Sequence, residues 1–438
     1  MQSRARIQQS VRFLTIPKLL TITLGELAVG EVLSAAHVCH AWLDPARSVI
    51  WRDVDQHCAL WRLAGDVHCP EDPAHEHIMT IPLQQTGIAH FSSIAQHVRT
   101  LNFNRGCGAP TRRAFQVLSN YLSAPLFPGL TSLSMGGELI LSTITPASLS
   151  PSLSGLICCV HTLDNNIQTN YFYAPTLRTL TFYASKDSGD CTRTRASILE
   201  NLPAVCPRLK HLQLLLYFLT WNMIRAVAST QICQLNFSCL DPPGDNAGDP
   251  IDVLSGAPSA LMHLPESGNF VRLQRIAVCV QAVHLSALLE CHRFPSAQLV
   301  RIYLRAVQQE APEDVRALVE TIAMRCTSLV RLALFLSLPV DANPVLWGSA
   351  TPPRLTFDHL GAITRLADLE LLQITHARPL DLNNQDVNNL FRSCRELWVC
   401  ELNPYPNSPE PVDLTSHTQL HRARSAMMST DAQTVAVY

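Results

Sequence analysis

Histidine and cysteine side chains cluster just beyond residue 55 of this sequence, and they are the residue types best suited to bind a metal ion. Thiolates and imidazoles are the usual protein ligands of zinc. The spacing of the cluster does not reproduce the ligand tetrads of known small zinc sites, so we interpret these residues as solvated loop side chains and predict no metal. The cluster consists of His57, Cys58, His68, Cys69, His75 and His77.

Sequence motifs of enzymes are missing from the chain. No P-loop, dinucleotide-binding fingerprint, G-x-S-x-G elbow or H-E-x-x-H helix occurs in its 438 residues. Serine, histidine and aspartate are frequent enough to form a triad, but nothing in their spacing orients them. We therefore predict no catalytic residue and no cofactor, with a hydrolase of unrecognised fold as the enzymatic alternative.

Arginine and aromatic side chains recur in three neighbouring copies of a short motif, apolar-x-x-apolar-x-apolar. In a strand, the last two apolar residues of this motif point into a core and their neighbours point to the opposite, concave face. Arginine forms charge-assisted bidentate bonds with carboxylate or phosphate, which predicts a surface for an acidic or phosphorylated protein segment. An ordinary solvated face is the alternative. The predicted contacts are Arg275, Arg301, Tyr303, Arg305, Arg331 and Phe335, beside the acidic residues Asp368, Glu370 and Glu401 of later copies.

The same motif recurs along most of the chain and predicts the elements that position these side chains. One strand with one helix cannot close a core, so such units must stack on one another. The fold predicted is an α/β repeat solenoid with parallel strands and helices. A doubly wound sheet is the alternative, but no glycine-rich phosphate loop follows any copy. Ten copies begin at residues 98, 130, 177, 209, 232, 273, 299, 329, 366 and 397, and the longest gap is predicted to hide a degenerate copy near 153.

Three short helices are predicted near the N-terminus. Apolar residues spaced by 4, 4 and 3 positions form the stripe of the first helix, and Pro17 suits its first turn. Gly30 breaks that pattern before a second helix. Asp44 and Pro45 are predicted to cap and begin the third. The stripe consists of Ile16, Leu20, Leu24 and Leu27, the second helix carries Val32, Ala35, Ala36, Cys39 and Trp42, and the third carries Ala46, Val49, Ile50 and Trp51.

Residues 14 to 55 resemble an F-box, in the versions common in mushroom-forming fungi. The family's Leu-Pro opening, its leucine run, its Val-Cys-x-x-Trp phrase and its closing Leu-Trp all have counterparts here, although Lys18 stands where an acidic residue is usual. The resemblance implies binding to a Skp-family adaptor and, through it, to a cullin. The implied adaptor-binding residues are Ile16, Pro17, Leu20, Leu24, Leu27, Val38, Cys39, Trp42, Ile50 and Trp51. The alternative is an N-terminal helical cap on the repeats.

The repeats are similar to the divergent leucine-rich repeats that follow F-boxes in fungi and animals. Several copies follow a helix-like run and a turn, and the phrase Cys206-Pro207-Arg208-Leu209 is typical of that family. The resemblance implies an array that binds a protein target.

Composition and charge limit the classes of function that the chain can have. With 33 basic and 35 acidic side chains, the chain lacks the long-range field of a nucleic-acid binder, and no apolar run is long enough for a membrane span. The 15 cysteines are odd in number and scattered, often within apolar phrases. We therefore expect free thiols without a disulfide, and a cytoplasmic or nuclear protein.

The resulting domain organisation begins with an extension at residues 1–13 and an F-box at 14–55. A connecting segment at 56–97 precedes an irregular leucine-rich repeat array at 98–403 and a polar tail at 404–438. The predicted function is substrate-recognition adaptor of a Skp-cullin-F-box type ubiquitin ligase, without catalysis of its own. A leucine-rich repeat interaction scaffold without a ligase role is the alternative.

Overall fold

A computed structural model gives the fold of the chain and describes most of the predicted helical and repeat segments. The helices at the N-terminus are described without interruption, and the region from 270 to 403 is described except for 307–308, 337–353 and 377–379. The described residues are 16–55, 57–64, 67–68, 78–79, 85–103, 118–119, 121–122, 125–135, 150–159, 175–183, 206–215, 227–228, 230–238, 270–306, 309–336, 354–376 and 380–403.

The main feature is a 12-stranded sheet whose strands follow chain order and pair in parallel. A separate antiparallel pair joins β2 (Val67–His68) and β3 (Ile78–Met79). This arrangement is the predicted α/β, solenoid-like stack of parallel strands. In order, the large sheet contains β1 (Asp53–Val54), β4 (Thr100–Asn102), β5 (Ser132–Met135), β6 (Gly155–Cys159), β7 (Thr179–Tyr183), β8 (His211–Leu215), β9 (Gln234–Ser238), β10 (Arg275–Cys279), β11 (Arg301–Arg305), β12 (Arg331–Leu336), β13 (Leu371–His376) and β14 (Val399–Leu402).

The apolar residues of the motif explain the strand register. In β10 the fourth and sixth motif residues, Ile276 and Val278, are buried, while Arg275 and Ala277 between them remain partly exposed. The adjacent strands β9 and β11 repeat this alternation, and their buried residues belong to the same continuous core. The hidden copy predicted near 153 is confirmed, because Leu156 of β6 pairs in register with Leu133 and Leu180.

A repeated backbone contact fixes each strand beside the previous one. The carbonyl of the residue immediately before one strand accepts hydrogen bonds from two consecutive N–H groups of the next repeat. Gln274 O, for example, accepts from Val300 N at 2.7 Å and Arg301 N at 3.1 Å, and Val300 O accepts from Val330 N and Arg331 N at 2.9 and 3.0 Å. The series begins at Arg52 O, which bonds Arg99 N and Thr100 N. The sheet therefore starts at β1, ahead of residue 98.

Three helices precede the sheet: α1 (Pro17–Gly25), α2 (Val29–Ala36) and α3 (His40–Ile50). Pro17 lies in the first turn of α1 as predicted. The prediction that Asp44 and Pro45 begin the third helix is wrong, because α3 begins five residues earlier and contains Pro45. Cys39, predicted in the second helix, is the residue before α3. An internal proline removes one helical hydrogen bond, so packing must hold this helix together, and Pro45 is itself buried.

The helices have a small core of their own but join the sheet directly. Leu20, Leu24, Val32, Ala35 and Ala46 form a cluster separate from that of the repeats. Only two residues separate α3 from β1. At the junction, His97 Nε2 lies 3.2 Å from Asp44 Oδ1, a contact that becomes an ion pair when the imidazole is protonated. We refer to residues 16–50 as the helical unit.

Further helices connect the strands and cover one side of the sheet. Pro312, followed by Glu313 and Asp314, opens α7, and Arg325 lies in its last turn, an arrangement that suits the helix dipole. These helices are α4 (His57–Ala64), α5 (Gln85–Ala95), α6 (Ala282–Glu290), α7 (Pro312–Arg325), α8 (Phe357–Leu360) and α9 (Asn384–Ser393), with 3₁₀ turns at Ser296–Gln298 and Gly361–Arg365.

Buried cysteines occupy an equivalent place in three repeats. The carbonyls of Cys206, Cys326 and Cys394 each accept a hydrogen bond at 3.1 Å from the N–H of the leucine three residues later, which closes the turn into the strand. Burial raises the pKa of Cys326 to about 12 and that of Cys394 to about 11, so these thiols stay protonated at neutral pH. Their role is packing.

The expectation of a protein without disulfides is wrong at one position. Cys279, at the end of β10, is disulfide-bonded, whereas other described cysteines such as Cys233 and Cys291 are free. Spacing along the sequence does not specify which thiols come together in a folded chain. Scatter along the sequence was therefore a poor guide to pairing.

A buried carboxyl group makes the stability of this region depend on pH. Glu310 is 4% exposed and receives a hydrogen bond from the N–H of Ala282 at the start of α6. Among the described residues, its Oε1 has no hydrogen-bond partner. Burial above all, and then Asp314, raises the pKa of Glu310 from 4.5 to about 7. The folded state thus binds this proton more tightly than the unfolded state, and stability falls as the pH rises from about 4.5 through about 7.

Replacing Glu310 by glutamine is expected to relieve that loss. Relative to the original chain, Glu310→Gln should gain unfolding free energy between pH 5 and pH 8, up to about 3 kcal/mol, since one pKa unit corresponds to about 1.4 kcal/mol. Denaturant unfolding at both pH values measures the difference. Glu313→Gln, an exposed neighbour, should show no such pH-dependent gain. If Glu310→Gln and Glu313→Gln gained the same unfolding free energy between pH 5 and pH 8, the raised pKa of Glu310 would be contradicted.

Candidate functional site: the helical unit and an arginine ladder

The helical unit exposes an unusual share of apolar surface. Of the twelve large apolar side chains that are exposed in the described part of the chain, half lie between residues 16 and 38. Each of these is between 41% and 64% exposed. Single exposed apolar side chains are common on protein surfaces, but such a concentration in one small unit indicates a surface that binds a partner. The apolar set consists of Ile16, Ile22, Leu27, Val29, Leu33 and Val38.

Burial corrects the predicted adaptor surface. Leu20 and Leu24, which the F-box resemblance implies as adaptor contacts, are each only 2% exposed and form the core of the helical unit, so they do not lie on its surface. In so small a unit the apolar stripe of one helix is needed to hold the other two together. Trp42 and Ile50 also pack against this core, while Trp51 packs against the core of the sheet.

The remaining predicted adaptor residues lie at the surface. Ile16, Pro17, Leu27, Val38 and Cys39 are exposed, at the start of α1 and in the turns that join the helices. The sequence patterns missed three members of the apolar set, which are Ile22, Val29 and Leu33. They fall off the predicted helical stripe, and their apolar character at exposed positions was the signal that could have identified them.

The second candidate surface is the side of the sheet opposite its core, which we call the open face. The third motif residues of three successive strands lie there in register: Arg275 pairs with Arg301, and Arg301 pairs with Arg331. Paired strands are about 5 Å apart, so three guanidinium-bearing side chains leave the sheet side by side as predicted. We call these three residues the arginine ladder.

The middle arginine has the most perturbed surroundings. Desolvation by burial, followed by the positive charges of Arg275 and Arg331, lowers the pKa of Arg301, and Glu370 acts in the opposite direction. Within the described residues, the Nε of Arg301 is shielded from solvent and has no hydrogen-bond partner. The ladder thus combines repulsion between like charges with an unused donor, and an anion would relieve both.

Two aromatic side chains lie next to the ladder on the open face. Tyr303 lies between two alanines of the neighbouring strands, Ala277 and Ala333. Its ring contacts that of Phe335 with centroids 4.8 Å apart. The small alanines leave a hollow of about 240 Å³, lined by the ladder, Tyr303 and both alanines. Arg305, at the end of β11, pairs in register with Phe335.

Two acidic neighbours of the ladder were placed wrongly by the sequence pattern. The copy predicted to begin at residue 366 begins at Leu369. The sequence pattern gave the wrong start because the leucines at 366, 369, 371 and 372 fit the motif in two overlapping ways. Leu371 pairs in register with Arg331, so Asp368 and Glu370 do not occupy the predicted strand positions. Glu370 instead precedes β13, where its Oε2 lies 4.0 Å from Nη2 of Arg331. Glu401 occupies its predicted place, opposite Gln373.

The histidine and cysteine cluster beyond residue 55 is only partly described. His57 and Cys58 lie in α4 and His68 lies in β2, whereas Cys69, His75 and His77 fall outside the described residues. In the part of the chain that is described, no group of three or more potential metal ligands comes together. A membrane-spanning segment was sought among the same residues, and no helix there is both long and apolar enough.

These two surfaces can bind but have little capacity for chemistry. Guanidinium groups stay protonated at neutral pH, so the ladder can hold an anion but cannot act as a general base. The apolar set can bury surface against another protein. Neither the comparison with protein-family models nor the comparison with curated proteins found a match for this chain.

Proposed function

We propose that this protein is the substrate-recognition adaptor of a Skp-cullin-F-box type ubiquitin ligase, acting in the cytoplasm or nucleus. The helical unit would be its F-box and would bind a Skp-family adaptor and, through it, a cullin. The stacked strands would be divergent leucine-rich repeats that bind a protein target. The single observation that carries the proposal is the exposed apolar set on a three-helix unit whose sequence resembles an F-box.

The nature of the exposed surface favours this function over a simple helical cap. A capping unit needs a polar outer face, since its task is to shield the end of a repeat array from water. The helical unit shows the opposite, because its outward side chains include six large apolar ones. Covering them with a partner removes apolar surface from water at about 25 cal/mol per Å².

The junction between unit and sheet supports a mechanism based on proximity. With two residues between α3 and β1, and hydrogen bonds of 2.8 and 2.9 Å from Arg99 N and Thr100 N to Arg52 O, the unit is attached to the first repeat over a short span. An adaptor bound to the unit and a target bound to the array would be held at a fixed separation. Such positioning accelerates transfer between them without catalytic residues in this chain.

Co-purification tests the proposal. The full chain, co-expressed with a Skp-family adaptor and a cullin, should form a complex that survives gel filtration, and omission of the Skp-family adaptor should release the cullin. Failure to recover the adaptor would leave the leucine-rich repeat scaffold without a ligase role as the better function.

A further inference from the structure

We propose that the arginine ladder binds the phosphate group of a phosphorylated serine or threonine in a segment of a partner protein. The inference specifies the target of the proposed adaptor and rests on that function for the identity of the partner. The site itself is formed by residues of the repeats alone. Its ligand chemistry follows from charge, donor geometry and the shape of the hollow.

The charge at the ladder matches a phosphate monoester. The charged groups that act on Arg301 are Arg275, Arg331 and Glu370. Three guanidinium groups and one carboxylate leave two positive charges. A phosphorylated side chain carries between about 1.5 and 2 negative charges at neutral pH, whereas a carboxylate or a phosphodiester carries one. Of these three single groups, the monoester comes nearest to neutralising the charge on Arg275, Arg301, Arg331 and Glu370.

Charges farther along the same row do not alter this balance. Gln234, the neutral neighbour of Arg275, separates the ladder from His211. Burial, followed by Arg275 and Lys210, lowers the pKa of His211, so its imidazole is neutral at physiological pH. On the other side, Leu371 continues the row without charge.

Donor geometry favours an oxyanion with several acceptor oxygens. The Nε of Arg301 is a buried donor without a partner among the described residues, and its two neighbours project from positions about 5 Å to either side. A phosphate offers three terminal oxygens, so that it can accept from all three side chains at once, whereas a carboxylate offers two. An unpaired buried donor costs free energy that such a ligand recovers.

The hollow has room for more than a phosphate group, which favours a phosphate that is carried by a peptide. Its volume of about 240 Å³ exceeds that of a phosphate group and extends from the ladder to Tyr303. The Tyr303 and Phe335 rings provide an apolar surface on which a flanking side chain can pack. Burial raises the pKa of Tyr303, which keeps its hydroxyl protonated as a further donor.

Binding to peptide pools tests the proposal without any ligase component. The purified full chain would be titrated against immobilised peptides that are degenerate around a fixed phosphoserine, and against matched pools with serine or glutamate instead. The phosphoserine pool should bind at least tenfold more tightly than either. Arg301→Gln and, separately, Arg275→Gln should each lose at least tenfold, while Glu370→Gln, which raises the local charge, should bind more tightly.

Control measurements separate the site from general attraction and from misfolding. Arg395→Gln removes an equal charge from an exposed turn and should bind like the original chain. Arg301→Gln should melt at the same or a higher temperature, because it removes repulsion within the ladder. Equal binding of the glutamate pool, an equal loss in Arg395→Gln, equally tight binding of a single-stranded oligonucleotide, or no binding of any pool would each overturn the proposal. None of these outcomes depends on adaptor binding.

Discussion

Replacing Ile16 and Val38 together by glutamate is expected to weaken binding of a Skp-family adaptor by at least about 100-fold. Both side chains belong to the apolar set, at 46% and 64% exposed, and both match positions of the F-box pattern. A glutamate buried at an interface loses its hydration without gaining a partner, and central apolar contacts are commonly worth about 2 kcal/mol or more each. Titration calorimetry with the purified adaptor gives the affinity.

Two further variants serve as controls, one at an exposed position and one at a buried position. Met324→Glu alters an exposed apolar side chain on α7, away from the helical unit, and should bind the adaptor normally. The double variant should melt like the original chain because neither side chain lies in a core. By contrast, Leu20→Glu would place a charge inside the helical unit and should unfold it. An unchanged affinity of the double variant would exclude this surface as the docking site.

Leu332→Ala is expected to lower the free energy of unfolding by about 2 to 5 kcal/mol. Leu332 is fully buried in β12 and lies in register between Ile302 and Leu372, both buried as well. The truncation leaves a cavity across three successive repeats, and a densely packed core relaxes only partly around it. Denaturant unfolding followed by circular dichroism measures the change.

Phe335→Ala is the matched control, because this larger side chain lies in the same strand but is only half-buried on the open face. Its truncation should cost clearly less stability than Leu332→Ala. A larger loss for Phe335→Ala would mean that the core lies on the other side of the sheet from where we place it.

The repeats were predictable because their motif specifies burial residue by residue. Apolar residues at the first, fourth and sixth positions must face the core, which also fixes which residues face out, and Arg275, Arg301 and Arg331 followed from that rule. The rule failed where several leucines lie close together in the sequence. Around residue 369 two registers satisfied it, and only the pairing of Leu371 with Arg331 distinguishes them.

The helical unit was predictable in its helix content but not in its surface. A helical stripe such as Ile16, Leu20, Leu24 and Leu27 shows which side chains share a face, but not whether that face meets another helix or a partner protein. The structure divides this stripe between the core and the surface. The start of α3 was misjudged because Asp-Pro is typical of helix starts, whereas local packing here overrides the cost of an internal proline.

The candidate anion site needed tertiary information for its details. The sequence supplied the arginines and the aromatic residues, but the hollow depends on two alanines, Ala277 and Ala333, that flank Tyr303 only once the strands are paired. The contact between Glu370 and Arg331 likewise arises across neighbouring strands. The disulfide at Cys279 could not be inferred from the sequence, because cysteine spacing alone does not specify which thiols pair.

Hydrogen–deuterium exchange of the purified full chain, with and without a Skp-family adaptor, tests the central claim most directly. If the apolar set is the docking surface, amides of residues 16–38 should become protected on addition of the adaptor, while those of β10 to β13 should exchange at unchanged rates. Protection confined to the repeats, or no change between residues 16 and 38 at saturating adaptor, would contradict the assignment of the helical unit as the adaptor-binding F-box.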